Sequence, residues 1–304
     1  MHSALDCHKN YRVKKILEME WIIFFGMIIL AGTVYSFFIE PYKLVIRKRR
    51  LEFSNLPVDL NGLTILHISD LHIKGNDSRQ ENMIKKLEDL NPDLILITGD
   101  FIDYDEDIQY CADILEKLKV KIGKFGVFGN HDYYRYNAMD FITRNKFPNR
   151  QNNSEKMADV LHKLGMTILD NSYQTLEINR HKIFIIGVGD SQRRCELAEV
   201  LPDDPENSFK ILMCHYPDVV FDSDISKVDL VLTGHTHGGQ IRLPIIGAVI
   251  SWSKVPLKSA SGLFRHNGAI MHISPGIGTA TLPMRFLCRP EATLLELRCV
   301  GEAH

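Results

Sequence analysis

The sequence predicts an α/β protein, a β-sheet covered by helices, with one apolar helix ahead of it. Three observations carry this. From Leu63 onward, short β-prone apolar runs alternate with amphipathic stretches. Ahead of them, the nineteen residues from Trp21 to Ile39 carry no charge. Finally, Leu230–Gln240, LVLTGHTHGGQ, ends an apolar strand in a glycine turn bearing two histidines.

The apolar run is long enough to cross a bilayer. As a helix it spans roughly 28 Å, close to the hydrocarbon thickness. Trp21, Tyr35 and Tyr42 lie near its ends, where interfacial aromatics gather. It is too long for a typical signal-peptide core, and no clear A-x-A site follows. The expected layout is a tail over 1–20, a transmembrane anchor over 21–39, a basic juxtamembrane linker over 40–59 and one domain over 60–304. Lys9, Arg12, Lys14 and Lys15 precede the span, and Lys43, Arg47, Lys48, Arg49 and Arg50 follow it. This balance tips toward a cytoplasmic C-terminal domain by one residue. The RKRR run reads as a solvated, topogenic flank, or as a contact for anionic headgroups of membrane lipids.

Composition narrows the rest. A chain of 304 residues fits one large domain with an appendage, or two small domains. A net charge of −2 gives no support for a bulk nucleic-acid partner. Cys7, Cys111, Cys195, Cys214, Cys288 and Cys299 are scattered without a CxxC pair, so they read as reduced or incidental thiols.

In order, the expected elements are a strand at 63–68, a helix at 78–90, a strand at 93–99, a helix at 108–118 and a strand at 124–128. Residues 132–154 break the rhythm, as functional or disordered insertions do. A helix at 155–164 follows, then strands near 166–170, 173–178 and 182–187 and a helix at 191–200. Buried strands at 209–214 and 229–232 come next. Strands at 269–274 and 293–298 are expected to close a second sheet.

Five strand ends share one design: an apolar run, then a polar loop rich in metal-ligand types. They are Asp70-Leu71-His72, Gly99-Asp100, Gly129-Asn130-His131-Asp132, Cys214-His215 and Gly234-His235-Thr236-His237. Sheet proteins of this type build sites at the C-terminal ends of strands. Each motif alone also fits a cap or a turn, and GHTHGG alone fits a glycine turn with two exposed histidines. In series they point to metals, and carboxylate mixed with imidazole suits Mn²⁺, Fe or Zn²⁺ better than Ca²⁺. Cys214 reads as a small core residue, and His67, His162, His181, His266 and His272 as core or surface residues.

The series DxH, GD, GNHD, H and GHTH over about residues 60–298 resembles the calcineurin-like metallophosphoesterases. The resemblance implies a four-layer αββα sandwich, two mixed β-sheets flanked by helices. It implies two divalent metal ions, Asp70, His72, Asp100 and His237 holding one and Asp100, Asn130, His215 and His235 the other. His131 would protonate the leaving oxygen or steady the transition state, and Asp103 and Asp132 would orient the ligands. Such a pair of ions lowers the pKa of a bridging water, which attacks phosphorus in line. The GDxVDRG and GNHE forms of Ser/Thr protein phosphatases are absent.

The tail HTHGGQIRLP, with SPGIGTATLPMRF and RPEATLLEL, resembles a narrower bacterial subgroup of phosphodiesterases with N-terminal membrane or export segments. Some of these hydrolyse UDP-2,3-diacylglucosamine to UMP and 2,3-diacylglucosamine 1-phosphate in lipid A assembly at the cytoplasmic membrane. A nucleotide-linked lipid is therefore one expected substrate, a soluble phosphoester another, and a non-catalytic scaffold a third reading that the complete ligand set disfavours. For the lipid, Tyr133, Tyr134, Tyr136, Phe141 and Ile142 offer apolar surface, and Arg135, Arg144 and Arg150 offer cations. Gly276 and Gly278 are expected to let the backbone approach the metals closely, or to form an ordinary turn.

Overall fold

A helix of 37 residues, α1 (His2–Phe38), opens the chain without a break between its polar start and its apolar run. The computed structural model describes residues 2–75, 77–143, 145, 148–189, 197–204 and 208–300. Within Lys14–Tyr42 the most apolar 18-residue window has a mean hydropathy of 2.3 and lies almost wholly outside the protein body. One 3-10 turn, Glu40–Tyr42, then brings Glu40 and Pro41 into the interior.

The elements that follow are β1 (Val45–Phe53), β2 (Thr64–Ile68), α2 (Ser78–Lys85), β3 (Leu94–Thr98), α3 (Ile108–Glu116) and β4 (Gly123–Val127). Next come α4 (Asn130–Tyr133), α5 (Ala138–Thr143), α6 (Ser154–Lys163), β5 (Met166–Ile168), β6 (Ser172–Ile178) and β7 (His181–Val188). Then α7 (Leu197–Val200), β8 (Phe209–Cys214), α8 (Val219–Asp222) and β9 (Leu230–Thr233) lead to β10 (Arg242–Leu243), β11 (Gly247–Ala248), β12 (Gly262–His266), β13 (Ala269–Ile273) and β14 (Glu291–Cys299).

Two six-stranded mixed sheets result, ordered β1-β14-β2-β3-β4-β5 and β12-β13-β9-β8-β7-β6. Strand alternation sorts the core into three apolar layers. In β2, Ile65 faces the other sheet, while Leu66 and Ile68 face the helices. In β3, Leu94 and Leu96 face inward, and Ile95 and Ile97 outward. Between the sheets they meet Ile211, Met213, Leu230 and Leu232. Outside the first sheet lie α2, α3 and α6, with Met83, Ile84, Ile114, Leu115, Met157 and Leu161. Outside the second, Leu197, Val200 and Val220 cover Ile186, Leu212 and Val231. Each fully buried aliphatic stabilises by about 1.5–3 kcal/mol, so the expected four-layer sandwich has an apolar seam at every interface.

Three expectations need correction. Residues 45–53 are not linker: they form the edge strand β1, paired in parallel with β14 from Val45↔Glu291 to Phe53↔Cys299. Their basic run stays exposed, as a solvated flank would be, with Arg47 Nε 2.5 Å from Glu291 Oε2 and Arg50 Nε 2.9 Å from Glu296 Oε2. Charged residues on an edge strand also discourage pairing with foreign strands. Second, β14 does not close the second sheet but sits inside the first, antiparallel to β2. Third, β12 and the β10–β11 hairpin, not expected from the sequence, extend the chain after the histidine turn. Of the helix expected at 191–200, only its end, Leu197–Val200, lies within the described residues.

Candidate metal centre

Every ligand-bearing motif follows the C-terminal end of a strand: Asp70 and His72 after β2, Asp100 after β3, Asn130 after β4, His215 after β8, His235 and His237 after β9. Five of these residues take left-handed backbone: Asp70 (φ 51°), His72 (44°), Asp100 (54°), His235 (69°) and His237 (49°). Such conformations cost on the order of 1–3 kcal/mol each and persist where surrounding structure imposes them. Here the loops impose them on one another. Asp70 N–H donates to Gly99 O (2.9 Å) and His72 N–H to Asp100 O (2.9 Å). His131 N–H donates to Asp100 Oδ1 (2.9 Å), and His235 N–H to Asp70 Oδ1 (3.0 Å).

Glycine makes room. A Cβ on Gly234 would run into Ser69 Oγ and Asp70 Oδ2. Gly276 (φ 74°) fills the approach expected of it, since a Cβ there would lie 2.7 Å from the Asp70 Cβ.

The side chains then converge. Ligand atoms of Asp70, His72, Asp100 and His237 all lie within 4.8 Å of one another, and all four residues are buried. His72 Nε2 is 3.2 Å from His237 Nε2 and 3.4 Å from Asp100 Oδ2. His237 Nε2 is 3.4 Å from Asp70 Oδ1. Across Asp100, His215 Nε2 is 3.3 Å from the same Oδ2 and 3.2 Å from His235 Nδ1. The Asp100 carboxylate thus stands between two groups of donors. Asn130 adds a further donor: its Oδ1 is buried and has no hydrogen-bond partner among the described residues. A buried amide oxygen without a partner is costly unless a cation meets it.

Hydrogen bonds fix which ring nitrogen faces inward. His72 Nδ1–H donates to Asp103 Oδ1 (2.8 Å), His215 Nδ1–H to Thr98 O (2.9 Å) and His235 Nε2–H to Trp252 O (3.3 Å). This leaves Nε2, Nε2 and Nδ1 as the inward atoms. Charge follows the same pattern. Burial alone would lower His72, but Asp103 and Asp100 outweigh it and lift its pKa to about 10. Burial is likewise outweighed at His215, which Asp100 raises to about 9. Burial, together with His215, pushes His235 down to about 3, and burial with His72 takes His237 well below its usual value. In each close pair of rings one inward nitrogen, His72 Nε2 or His215 Nε2, lies beside Asp100 Oδ2. A divalent cation bound there would meet neutral ring nitrogens and a carboxylate together.

Asp103 and Asp132 surround these donors. Asp103 Oδ1 also accepts from His131 Nδ1 (2.7 Å), and Lys74 Nζ lies 2.6 Å from Oδ2. His72, Asp103 and His131 are close enough to form a metal group of their own. The one Asp103 oxygen takes both ring N–H groups, so the arrangement is better read as orienting the two rings. Asp132 accepts from the backbone N–H groups of Asp100, Phe101 and Gly129, each at 2.8 Å. Burial and the Asp100 charge raise it to about 7. Cys214 is buried and its thiol is pushed up to about 12, as a core residue requires.

The insertion differs from expectation in detail. Its base is closed by Arg135 N–H donating to Arg150 O (3.0 Å) and Asn152 N–H to Tyr133 O (2.9 Å). Asn152 Nδ2 donates to His131 O (2.8 Å) and Asp103 O (3.1 Å), which ties the loop to the site. Tyr133 packs edge-on against Phe128 in the helix-side core. Tyr134 lies between Tyr133 and Tyr136, and it is Tyr136 whose ring sits 4.6 Å from that of His131. The two described arginines already have carboxylate partners, Arg135 with Asp105 (2.7 Å) and Arg150 with Asp140. Arg144 and the side chain of Phe141 lie outside the described residues.

Sequence reasoning missed Arg285, Glu40 and Trp252. Arg285 is wholly buried and donates to Gly278 O (Nε, 3.0 Å), Pro275 O (2.8 Å) and Cys288 O (3.2 Å), bracing the turn against Asp70. Glu40 Oε1 accepts from Cys288 N–H (2.6 Å). For Glu40 no local signal exists, because its partner Cys288 lies 248 positions away.

The fold and the donor cluster define a metal-dependent phosphoester hydrolase. The chain matches the calcineurin-like phosphoesterase family over residues 63–239, more than half its length, and belongs to that family. It is 29% identical over 277 residues to the uncharacterized metallophosphoesterase YkuE of Bacillus subtilis, covering 88% of this chain and 90% of that one. It is 27% identical to phosphodiesterase YaeI of Escherichia coli and 28% identical to UDP-2,3-diacylglucosamine pyrophosphatase LpxG of Chlamydia trachomatis, each covering 88% of this chain and 93% of the relative.

Proposed function

We propose that this chain is a dinuclear-metal phosphodiester or pyrophosphate hydrolase, held to a bacterial inner membrane by α1 with its catalytic domain in the cytoplasm. Its proposed substrate is UDP-2,3-diacylglucosamine, cleaved to UMP and 2,3-diacylglucosamine 1-phosphate as a step of lipid A assembly. The observation that carries the chemistry is the convergence of Asp70, His72, Asp100 and His237 within 4.8 Å, all buried.

In this reading Asp70, His72, Asp100 and His237 hold one ion, and Asp100, Asn130, His215 and His235 the second, with Asp100 shared. Mn²⁺ suits the mixed oxygen and nitrogen donors, as do Fe and Zn²⁺. Bound divalent ions would neutralise phosphoryl oxygens and acidify a water. The chain's own residues do the rest. Asp103 fixes the rings of both His72 and His131. The His131 side chain is 12% exposed, against 0% for His72, so substrate can reach it. With Nδ1 bonded to Asp103, Nε2 is the atom that delivers a proton to the leaving oxygen. Asp132 holds the backbone at Asp100 and Gly129.

Two observations support a lipid substrate: the exposed apolar α1 and the similarity to LpxG. One observation favours the second reading, a general phosphodiesterase on a soluble substrate. Arg135 and Arg150 are already paired with Asp105 and Asp140, so they bring little net charge to a diphosphate. Product analysis separates the two. The purified full-length chain is expected to release UMP from UDP-2,3-diacylglucosamine. Hydrolysis of a small chromogenic phosphodiester without any UMP from the lipid would discard the lipid and leave the general reading.

A further inference from the structure

After the histidine turn, residues 243–246 stand off the protein body, while Ala248 and Ser251 in the returning arm are buried. β10 and β11 pair as a short antiparallel hairpin, Arg242↔Ala248 and Leu243↔Gly247. No charged residue occurs from Leu243 to Ser253, LPIIGAVISWS. Ile245 is fully exposed and Ile246 is 72% exposed, while Leu243, Val249, Ile250 and Trp252 are between 42 and 47% exposed. A solvated hairpin favours Asn or Gly at its tip. This one presents Ile245 with φ 69°, where a β-branched residue is rare. An uncharged apolar projection of this kind marks an interaction surface.

Its position says what it meets. Ile241 bridges in parallel to Phe286, and Arg242 N–H donates to Phe286 O (2.8 Å). Next to it, Arg285 N–H donates to Ser36 O (2.9 Å) in the last turns of α1. The exposed Leu287 follows, and Cys288 N–H is anchored on Glu40. Helix end, 285–288 segment and hairpin stem are thus joined by backbone contacts. Each hairpin arm is two residues long, so the tip lies only roughly 7 Å from this stem. At the other end of the hairpin, the Trp252 carbonyl accepts from His235.

We infer that the hairpin 243–252 is a membrane-docking element that enters the bilayer interface beside α1 and sets the metal centre at the lipid surface. The inference rests on the reading of α1 as a membrane anchor. A bilayer is the occupant because the apolar hairpin is continuous with an apolar helix, carries no charge, and has a tryptophan at its border as interfacial segments do. The site then draws its substrate from the lipid surface rather than from bulk water.

The chain has two tryptophans, Trp21 in α1 and Trp252 at the hairpin, so each reports separately. The full-length chain is reconstituted into phosphatidylcholine vesicles with plain or brominated acyl chains. In Trp21→Phe, Trp252 emission should fall roughly twofold in the brominated vesicles, because interfacial segments sit about 5–10 Å into the acyl boundary. In Trp252→Phe, which keeps the carbonyl, Trp21 should be quenched as well. Adding Ile245→Ser and Ile246→Ser to Trp21→Phe should remove the quenching while hydrolysis of a small chromogenic diester stays unchanged, which shows that the domain is folded. Unquenched Trp252 beside quenched Trp21 overturns the docking inference and leaves the anchor standing. Neither residue quenched overturns the anchor reading too. A blue-shifted but unquenched Trp252 means burial against protein and also overturns the inference.

Discussion

At residue scale, the metal centre is a set of ring orientations fixed from outside. Asp103 steadies both His72 and His131, Thr98 O steadies His215 and Trp252 O steadies His235. His131→Ala should lower kcat by a factor on the order of 10² or more with metal content unchanged, since a general acid acts at the leaving group. Metal analysis beside steady-state rates checks this; metal loss would make His131 a ligand instead. The candidate donors were legible in the sequence because each lies in a short motif directly after an apolar strand. Their left-handed backbone was not, because it arises where neighbouring loops bond each other, as at Asp70 N–H on Gly99 O. Arg135 was misleading for a related reason. Its charge is visible in sequence, and its partner Asp105, thirty residues away, is not.

At element scale, the strands of the core were read close to their ends, while their partners were not. β14 alternates in the same way whichever sheet receives it, with Leu295 and Leu297 inward and Ala292 outward. Only the register with β2 assigns it to the first sheet. β1 was hidden by its charges, since only Leu51 and Phe53 are buried. The insertion after α4 divides into a base tied to His131 and Asp103 through Asn152 and a tip with exposed Met139 and Ile142. Replacing residues 138–148 by a short glycine linker, with 133–137 and 150–153 kept, should spare hydrolysis of a small diester and sharply cut turnover of UDP-2,3-diacylglucosamine. An equal fall in both activities would make the tip structural.

At the scale of the whole molecule, two sheets bring five strand ends to one place, and the last turns of α1 are joined to the same end. Ser36 and Glu40 bond the 285–288 segment, while Arg285 braces the turn against Asp70. The apolar helix and the sandwich were each legible in the sequence; their junction was not, because it joins residues almost 250 positions apart, Glu40 and Cys288. The central claim is that one buried carboxylate, Asp100, holds two ions together. Metal content of the purified chain, measured per polypeptide for the natural sequence and for Asp100→Ala, tests it most directly. The account predicts two divalent ions per chain in the former, and loss of metal together with activity in the latter. Asp100→Ala protein that retains both ions and full activity would contradict it.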